Sequence, residues 1–269
     1  MIVHNFDPVF IDLGLFQIKW YSLAYIFGII FGWIYAIKII KKIAKNKYNF
    51  ASIKSTQFDD LIIYLAIGMI LGGRLGYVIF YNFEYYVQNS SEIFKIWEGG
   101  MSFHGGLLGV IIATYIFSKI TNASFLKFSD IICCAAPIGI FLGRIANFIN
   151  GELFGKVATL PWSIIFPEGG NALRHPSQIY EAILEGIVLF LVMNFLVFKK
   201  HLFLKPGYLS SLFLILYAIL RIVSESFREP DAHLGYFFNY FSMGTLLSFI
   251  TFLSGCILMI FIKKNEQNN

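Results

Sequence analysis

The chain has 269 residues, of which 57% are hydrophobic, 18% aromatic and only 14% charged. An ordinary soluble domain is about 45–50% apolar and about 25% charged, so the composition excludes a soluble globular protein and indicates a protein that crosses a membrane several times. The formal net charge of +5 comes largely from lysines between apolar segments, and it is therefore no evidence for nucleic-acid binding.

Seven segments of the chain are long enough to span a membrane, which takes about 20 mostly apolar residues. We therefore predict an all-α, polytopic integral membrane protein with seven transmembrane helices and a single domain over residues 1–269. The predicted spans are residues 20–40, 59–82, 103–120, 130–147, 176–198, 207–226 and 243–262.

Lysines are concentrated in alternate loops. They follow spans one and seven and separate span three from four and span five from six. Since short cytoplasmic loops retain positive charge, we predict an amino terminus outside, in the periplasm, and a cytoplasmic carboxyl terminus.

Span two carries Arg74 beside a ridge formed by Gly68, Gly72 and Gly76. Small residues at this spacing are typical of closely packed membrane helices, so packing is the favoured reading of the glycines. Arg74 itself stays open between a structural contact and anion binding.

Span three begins with the block 102–109, in which His104 precedes three glycines. Glycines let another backbone or a ligand come close. His104 either sits at the helix end as an interfacial residue or, as a neutral imidazole, takes a proton from a nucleophile.

Span four ends in the polar run 143–155, which contains Arg144, and span six carries Arg221. At 1.5 Å per residue, Arg74, Arg144 and Arg221 all lie about 21–23 Å from the inner face of a hydrocarbon layer about 30 Å thick. Guanidinium suits two-point contact with phosphate, so the three arginines predict an anion site reached from the outer leaflet. The alternative for each is snorkelling or a buried pair with a carboxylate.

Other polar side chains lie near these arginines in the chain. Tyr217 and Glu225 share a helical face with Arg221, and His175 precedes Pro176 at the start of span five, where it serves the helix start or a phosphate headgroup. Glu181 and Glu185 in span five indicate either a proton relay or hydrogen bonds between helices. Neither a metal site nor a cofactor is expected, because no cluster of His, Cys and carboxylates has ligand spacing.

These residues resemble those of the bacterial prolipoprotein diacylglyceryl transferases. The matching blocks are Trp20-Tyr21, 71–77, 102–109, the highly specific signature 143–155, 174–181, Tyr217-x3-Arg221-x3-Glu225 and 227–231. The resemblance implies a multi-pass enzyme of the bacterial cytoplasmic (inner) membrane. It implies transfer of the diacylglyceryl group of phosphatidylglycerol to the thiol of the lipobox cysteine in a prolipoprotein signal peptide, with release of glycerol phosphate, as the first step of lipoprotein maturation.

The resemblance also implies site residues. Arg144 and Arg221 match the essential arginines of the family, and its other functional positions match His104, Asn147, Glu152, Glu225, Tyr21 and Tyr217. We predict His104, Arg144 and Arg221 as catalytic, with His104 as the candidate base. Substrate binding is predicted for Tyr21, Arg74, Arg144, Asn147, Glu152, His175, Tyr217 and Glu225. The expected partners are phosphatidylglycerol, prolipoprotein signal peptides and the lipid bilayer.

A transporter or channel for an anionic solute is the alternative function, with the same arginines lining an outer vestibule. Transporters often contain repeated halves around a mid-membrane site. The sequence has no evident internal repeat, and the arginine layer is off-centre, so the transferase is favoured.

Overall fold

A computed structural model of the chain describes residues 2–14, 17–45, 53–230, 236–237 and 241–268. Within these residues, seven helices are long and apolar enough to cross a membrane, which confirms the predicted fold class. They are Trp20–Ala44, Ser55–Phe80, Phe103–Ile120, Phe125–Asn150, Ser177–Phe198, Tyr208–Glu225 and Met243–Gln267. The predicted direction in which the chain crosses the membrane stays a prediction.

The secondary structure is mostly helical, with short strands between the helices. The helices are α1 (Trp20–Lys45), α2 (Ser55–Phe80), α3 (Phe83–Gln88), α4 (Phe103–Ile120), α5 (Phe125–Asn150), α6 (Ser177–Glu181), α7 (Leu189–Phe198), α8 (Tyr208–Glu225) and α9 (Met243–Asn268). Short 3-10 turns cover Ser90–Phe94, Ile96–Glu98, Pro167–Gly169 and Leu202–Leu204. The strands are β1 (Ile2–Val3), β2 (Val9–Asp12), β3 (Gln17–Lys19), β4 (Ile164–Ile165), β5 (Leu173–Arg174), β6 (Tyr236–Phe237) and β7 (Phe241–Ser242).

Span five is not a uniform α-helix. Between α6 and α7 the backbone forms a π-helical segment, Ala182–Val188. π-Helical turns are rare and frequently occur at functional sites. The apolar pattern of the sequence gives no sign of this segment. Pro176, predicted as the first residue of span five, stands immediately before the helix, which begins at Ser177.

Helix α5 begins at Phe125 rather than at Asp130, where the predicted span began. Asp130 is 2% exposed and lies inside the helix. Its carboxylate accepts hydrogen bonds of 2.7 Å from the backbone N–H groups of Gly207 and Ser210 and from the Ser210 hydroxyl. Asp130 therefore caps the amino-terminal end of α8, because the first N–H groups of a helix have no partner within it.

The chain forms two compact units, Met1–Ala36 with Asp130–Asn269, and Ile37–Ser129. In the second unit, α2 packs against α4 through glycines. A Cβ atom on Gly72 would overlap the carbonyl oxygen of Gly105, and one on Gly109 would overlap that of Gly68. The structure thus confirms the packing role predicted for the glycine ridge. The single domain predicted over residues 1–269 stays a prediction.

The first unit contains a small sheet beside the end of α5. Its order is β1-β4-β5, with Ile2 paired in parallel with Ile164, and Ile164 paired antiparallel with Arg174. His4 follows β1 and donates from Nε2 to the carbonyl oxygen of Phe148 at 2.6 Å. The sheet is therefore connected directly to the last turn of α5. That turn lies within the polar run 143–155.

Candidate active site

Charged side chains from α5, span five and α8 meet inside the first unit. Both carboxylates contributed by span five, those of Glu181 and Glu185, are completely buried. We call the set the ion cluster; its members are Arg144, Glu181, Glu185, Arg221, Glu225 and Arg228.

Arg144 extends from α5 to span five. Its Nη1 lies 2.8 Å from Oε2 of Glu181, and its Nη2 lies 3.2 Å from Oε2 of Glu185. The side chain is 17% exposed, whereas the two carboxylates are 0% exposed. Arg144 is therefore the ion-cluster arginine most accessible from outside the protein.

Arg221 lies deeper and has three carboxylate partners. Nη1 is 2.7 Å from Oε1 of Glu181 and 3.2 Å from Oε1 of Glu185. Nη2 is 2.7 Å from Oε2 of Glu225, one helical turn further along α8, so the pairing with Glu225 predicted from the sequence is present.

Two hydroxyl groups complete the contacts of these carboxylates. Ser224 donates to Oε1 of Glu185 and Ser242 to Oε1 of Glu225, each at 2.8 Å. A Cβ atom on Gly244 would overlap the Glu225 carboxylate. The carboxylate of Glu225 is thus held from α8, β7 and the first turn of α9.

The ion cluster holds three guanidinium groups and three carboxylates, with Arg228 at 3.6 Å from Glu181. Charges removed from water are costly unless they are paired and hydrogen-bonded. Formal neutrality is therefore what allows so many ionised groups to lie among apolar helices. Tyr217 interacts electrostatically with Arg144, Arg221 and Glu185, which places the predicted tyrosine beside the ion cluster.

The end of α5 folds back on itself around Glu152. Nδ2 of Asn147 donates to Oε1 of Glu152 at 2.7 Å, and Nδ2 of Asn150 donates to the same oxygen at 3.2 Å. The chain turns through Gly151, whose φ of +71° favours glycine. Gln178 donates from Nε2 to the Glu152 carbonyl oxygen at 2.6 Å, so the start of span five fixes this turn.

Gly155 follows the turn at a crowded point. Its N–H donates to the His175 carbonyl oxygen at 2.9 Å. A Cβ atom there would lie 2.5 Å from Cβ of His175 and 2.6 Å from the carbonyl oxygen of Phe227. Only glycine lets these three backbone segments come together.

His175 ends a chain of two hydrogen bonds. The Trp162 indole N–H donates to the Tyr180 hydroxyl at 2.7 Å, and Nδ1 of His175 lies 3.2 Å from that hydroxyl. In the neutral imidazole, the Tyr180 hydroxyl donates to Nδ1 if that nitrogen is unprotonated and accepts from it if Nδ1 carries the proton. Burial, with the nearby charge of Lys156, lowers the pKa of His175 from its ordinary value of about 6.5 and favours this neutral form.

Tyr21 stands in the first turn of α1. Its hydroxyl lies 3.4 Å from that of Tyr25, and it interacts electrostatically with Glu152 and Arg144. The structure therefore brings Tyr21 together with Arg144, Asn147 and Glu152 in the same unit.

Two predicted site residues, His104 and Arg74, belong to the second unit. His104 makes an edge-to-face contact with Phe103, with ring centroids 5.6 Å apart. Arg74 is 4% exposed and donates to four backbone carbonyl oxygens; they are those of Glu92, Ile93, Gly99 and Gly100. These contacts order the segment before α4, and substrate binding by Arg74 stays a prediction.

The predicted catalytic and substrate-binding residues do not include Glu181, Glu185, Ser224 or Arg228. For the glutamates of span five the sequence predicts either a proton relay or contacts between helices, and the structure shows contacts with α5 and α8. The available signal was two buried carboxylates four residues apart in an apolar helix. Asp231, in the last block of the resemblance, lies outside the described residues.

Seven apolar helices and a buried, charge-balanced ion cluster define a multi-pass membrane protein with a polar site built between its spans. The family model described as prolipoprotein diacylglyceryl transferase matches residues 8–261, and the chain belongs to this family.

The relatives cover nearly the whole chain. A phosphatidylglycerol–prolipoprotein diacylglyceryl transferase of Rickettsia bellii is 47% identical over 97% of both chains. Proteins of the same name from Ehrlichia ruminantium and Nitrobacter hamburgensis are 49% and 46% identical. They are matched over 97% and 87% of their own lengths and over 95% and 94% of this chain. The chain is therefore a membrane transferase of lipoprotein biosynthesis.

Proposed function

We propose that this protein transfers the diacylglyceryl group of phosphatidylglycerol to the thiol of the lipobox cysteine in a prolipoprotein signal peptide. The reaction takes place in the bacterial cytoplasmic (inner) membrane. In it, a sulfur–carbon bond forms at the glyceryl carbon, the bond from that carbon to the phosphate oxygen breaks, and glycerol phosphate leaves.

The observation that carries the proposal is the position of Arg144. Two of its five N–H groups suffice for the contacts with Glu181 and Glu185, and its side chain is the more exposed guanidinium of the Arg144–Arg221 pair. A guanidinium with donors to spare can contact two oxygens of a phosphate at once. As the leaving group gathers negative charge, a fixed positive group in a low-dielectric site lowers the barrier.

Arg221, the more buried of the two arginines, supports this step. It lies among three carboxylates, so its charge acts on the phosphate mainly at a distance. Part of this effect passes through Tyr217, which borders the same site and interacts electrostatically with Arg221. Asn147 follows Arg144 by three residues on α5 and donates to Glu152, and the two side chains can hold the glyceryl hydroxyls or the backbone of the peptide.

The thiol proton needs an acceptor, because a cysteine with an ordinary pKa of about 8.5 is mostly protonated at neutral pH. We assign this role to His104, which is exposed at the start of α4. His175 is less suited to it, because its Nδ1 is already hydrogen-bonded to the Tyr180 hydroxyl.

The test is a mass-shift assay with purified protein, phosphatidylglycerol and a lipobox peptide. The expected result is a gain of one diacylglyceryl group on the cysteine peptide and none on the same peptide carrying serine. Arg144→Ala should lose the gain, while Lys205→Ala, which removes an exposed cation paired with Glu266, should keep it. No gain with folded wild-type protein would overturn the proposal, and anion flux would then be measured.

A further inference from the structure

We propose that Glu181 and Glu185 are positioning residues that compete with phosphate for the guanidinium of Arg144. They thereby set how firmly the site holds its anionic lipid and the phosphate product. This inference rests on the proposed function.

The first observation is the matched geometry of the two carboxylates. In both glutamates Oε2 contacts Arg144 and Oε1 contacts Arg221. For Glu181 the distances are 2.8 Å to Arg144 and 2.7 Å to Arg221, and for Glu185 both distances are 3.2 Å. Both glutamates thus bridge the same two guanidinium groups. A phosphate that contacts Arg144 therefore meets a cation already shared with two internal anions.

The second observation is the order of burial. The side chain of Arg144 is 17% exposed, that of Arg221 is 9% exposed, and the two carboxylates are 0% exposed. An incoming phosphate reaches Arg144 first and does not displace Glu181 or Glu185 into water. The carboxylates therefore remain in place and weaken the attraction of Arg144 for the ligand.

The fold keeps these carboxylates fixed. Glu181 ends α6 and Glu185 lies in the π-helical segment. Ser224, from the neighbouring helix α8, donates to Oε1 of Glu185 at 2.8 Å. A hydroxyl donor on the carboxylate oxygen holds its orientation, so Glu185 acts as a rigid competitor for Arg144.

Charge explains why such competition is useful. The donor lipid is a phosphodiester with one negative charge, whereas a phosphate monoester loses a second proton with a pKa near 6. Unopposed guanidiniums would hold the product more tightly than the substrate, and slow product release limits many enzymes. Because the six members of the ion cluster are formally neutral together, the ion cluster can bind a monoanion without trapping a dianion.

The experiment compares full-length wild type with Glu181→Gln and Glu185→Gln in detergent. Glutamine keeps the side-chain shape and removes one negative charge, so the ion cluster gains a net charge of +1. We expect the inhibition constant for added glycerol phosphate to fall by about threefold or more, the KM for phosphatidylglycerol to fall, and kcat to fall with them. A side chain with a merely structural role would lower the folded fraction and leave the inhibition constant unchanged.

The matched control is Glu266→Gln, which makes the same change at a carboxylate paired with Lys205 and Tyr208. It should leave the inhibition constant at the wild-type value. A second readout, the rise in melting temperature on adding glycerol phosphate, needs no turnover and should increase in both cluster variants.

The inference would be overturned if folded Glu181→Gln and Glu185→Gln had an unchanged or higher inhibition constant for glycerol phosphate, or an unchanged or smaller rise in melting temperature on adding it. Failure of both variants to fold would do the same, because the carboxylates would then be structural. If wild type shows no transfer but the variants bind glycerol phosphate more tightly, the proposed reaction fails, while the competition of the two carboxylates for a phosphate at Arg144 is supported separately.

Discussion

Arg144 and Arg221 share two carboxylates, but they differ in how much else depends on them. Arg221 is 9% exposed and also holds Glu225 at 2.7 Å, whereas Arg144 is 17% exposed and has no third carboxylate within the described residues. Removing one partner of a buried ion pair leaves the other charge uncompensated. Replacing each arginine should therefore lower the free energy of unfolding by a different amount, although both are predicted to be catalytic.

Arg221→Ala should lower the free energy of unfolding by about 3–5 kcal/mol, and Arg144→Ala should lower it by clearly less, because solvent reaches that edge of the ion cluster. Thermal unfolding in detergent measures both. Equal losses of stability in the two variants would contradict the described difference in burial.

His175 should make stability depend on pH. Its lowered pKa means that the folded protein binds fewer protons than the unfolded chain, so stability rises with pH. The contribution is complete above about pH 6.5, the ordinary value for histidine, and is lost as the pH falls toward the lowered pKa.

His175→Gln should flatten this pH dependence, because glutamine accepts a hydrogen bond from Tyr180 without titrating. Melting temperatures of wild type and variant across the range in which histidine titrates provide the comparison. Parallel curves would mean that other groups cause the dependence.

Some site residues could be predicted from the sequence, whereas the partners of others could not. Arg144, Arg221 and Glu225 stand out because charges in apolar spans are rare. The bridging role of Glu181 and Glu185 depends on which helices are neighbours and how they are rotated, and no residue spacing within span five contains that information.

Among the elements, α2 and α4 show how directly sequence can determine packing. Gly109 is pressed against the backbone of Gly68, as the small-residue spacing predicts. The π-helical segment and the start of α5 were not predictable in this way. Asp130 resembled a span boundary because it is charged, but it is buried as a cap for α8.

Gly109→Ala should destabilise the protein by about 1–3 kcal/mol, since overpacking forces the two backbones apart. The matched control is Gly139→Ala in α5, where an added Cβ atom meets nothing within 4 Å. The folded fraction after extraction and the melting temperature would be measured for both. A Gly109 variant as stable as the Gly139 variant would contradict the close contact.

For the molecule as a whole, the length of the apolar segments predicts seven spans, and the described helices agree. The direction of crossing is testable by labelling single cysteines. Cys133, Cys134 and Cys256 are free thiols that can be changed to serine to give a silent background.

In that background, Asp7→Cys should react with a membrane-impermeant maleimide in spheroplasts from which the outer membrane has been removed. Asn122→Cys, in the turn between α4 and α5, should react only after the inner membrane is opened. The reverse pattern would invert the predicted orientation.

The tie between His4 and Phe148 has a consequence for biosynthesis. The two residues are 144 positions apart, and β1 pairs with a strand that lies beyond the fourth span. Residues 2–4 are synthesised before the first span. Their partners, Phe148 and β4, do not exist until more than half of the chain has been synthesised. The turn around Glu152 also needs Gln178 from the start of span five, so it becomes complete only after the first four spans have been synthesised. A nascent chain halted before span five would be inserted in the membrane yet have no working site.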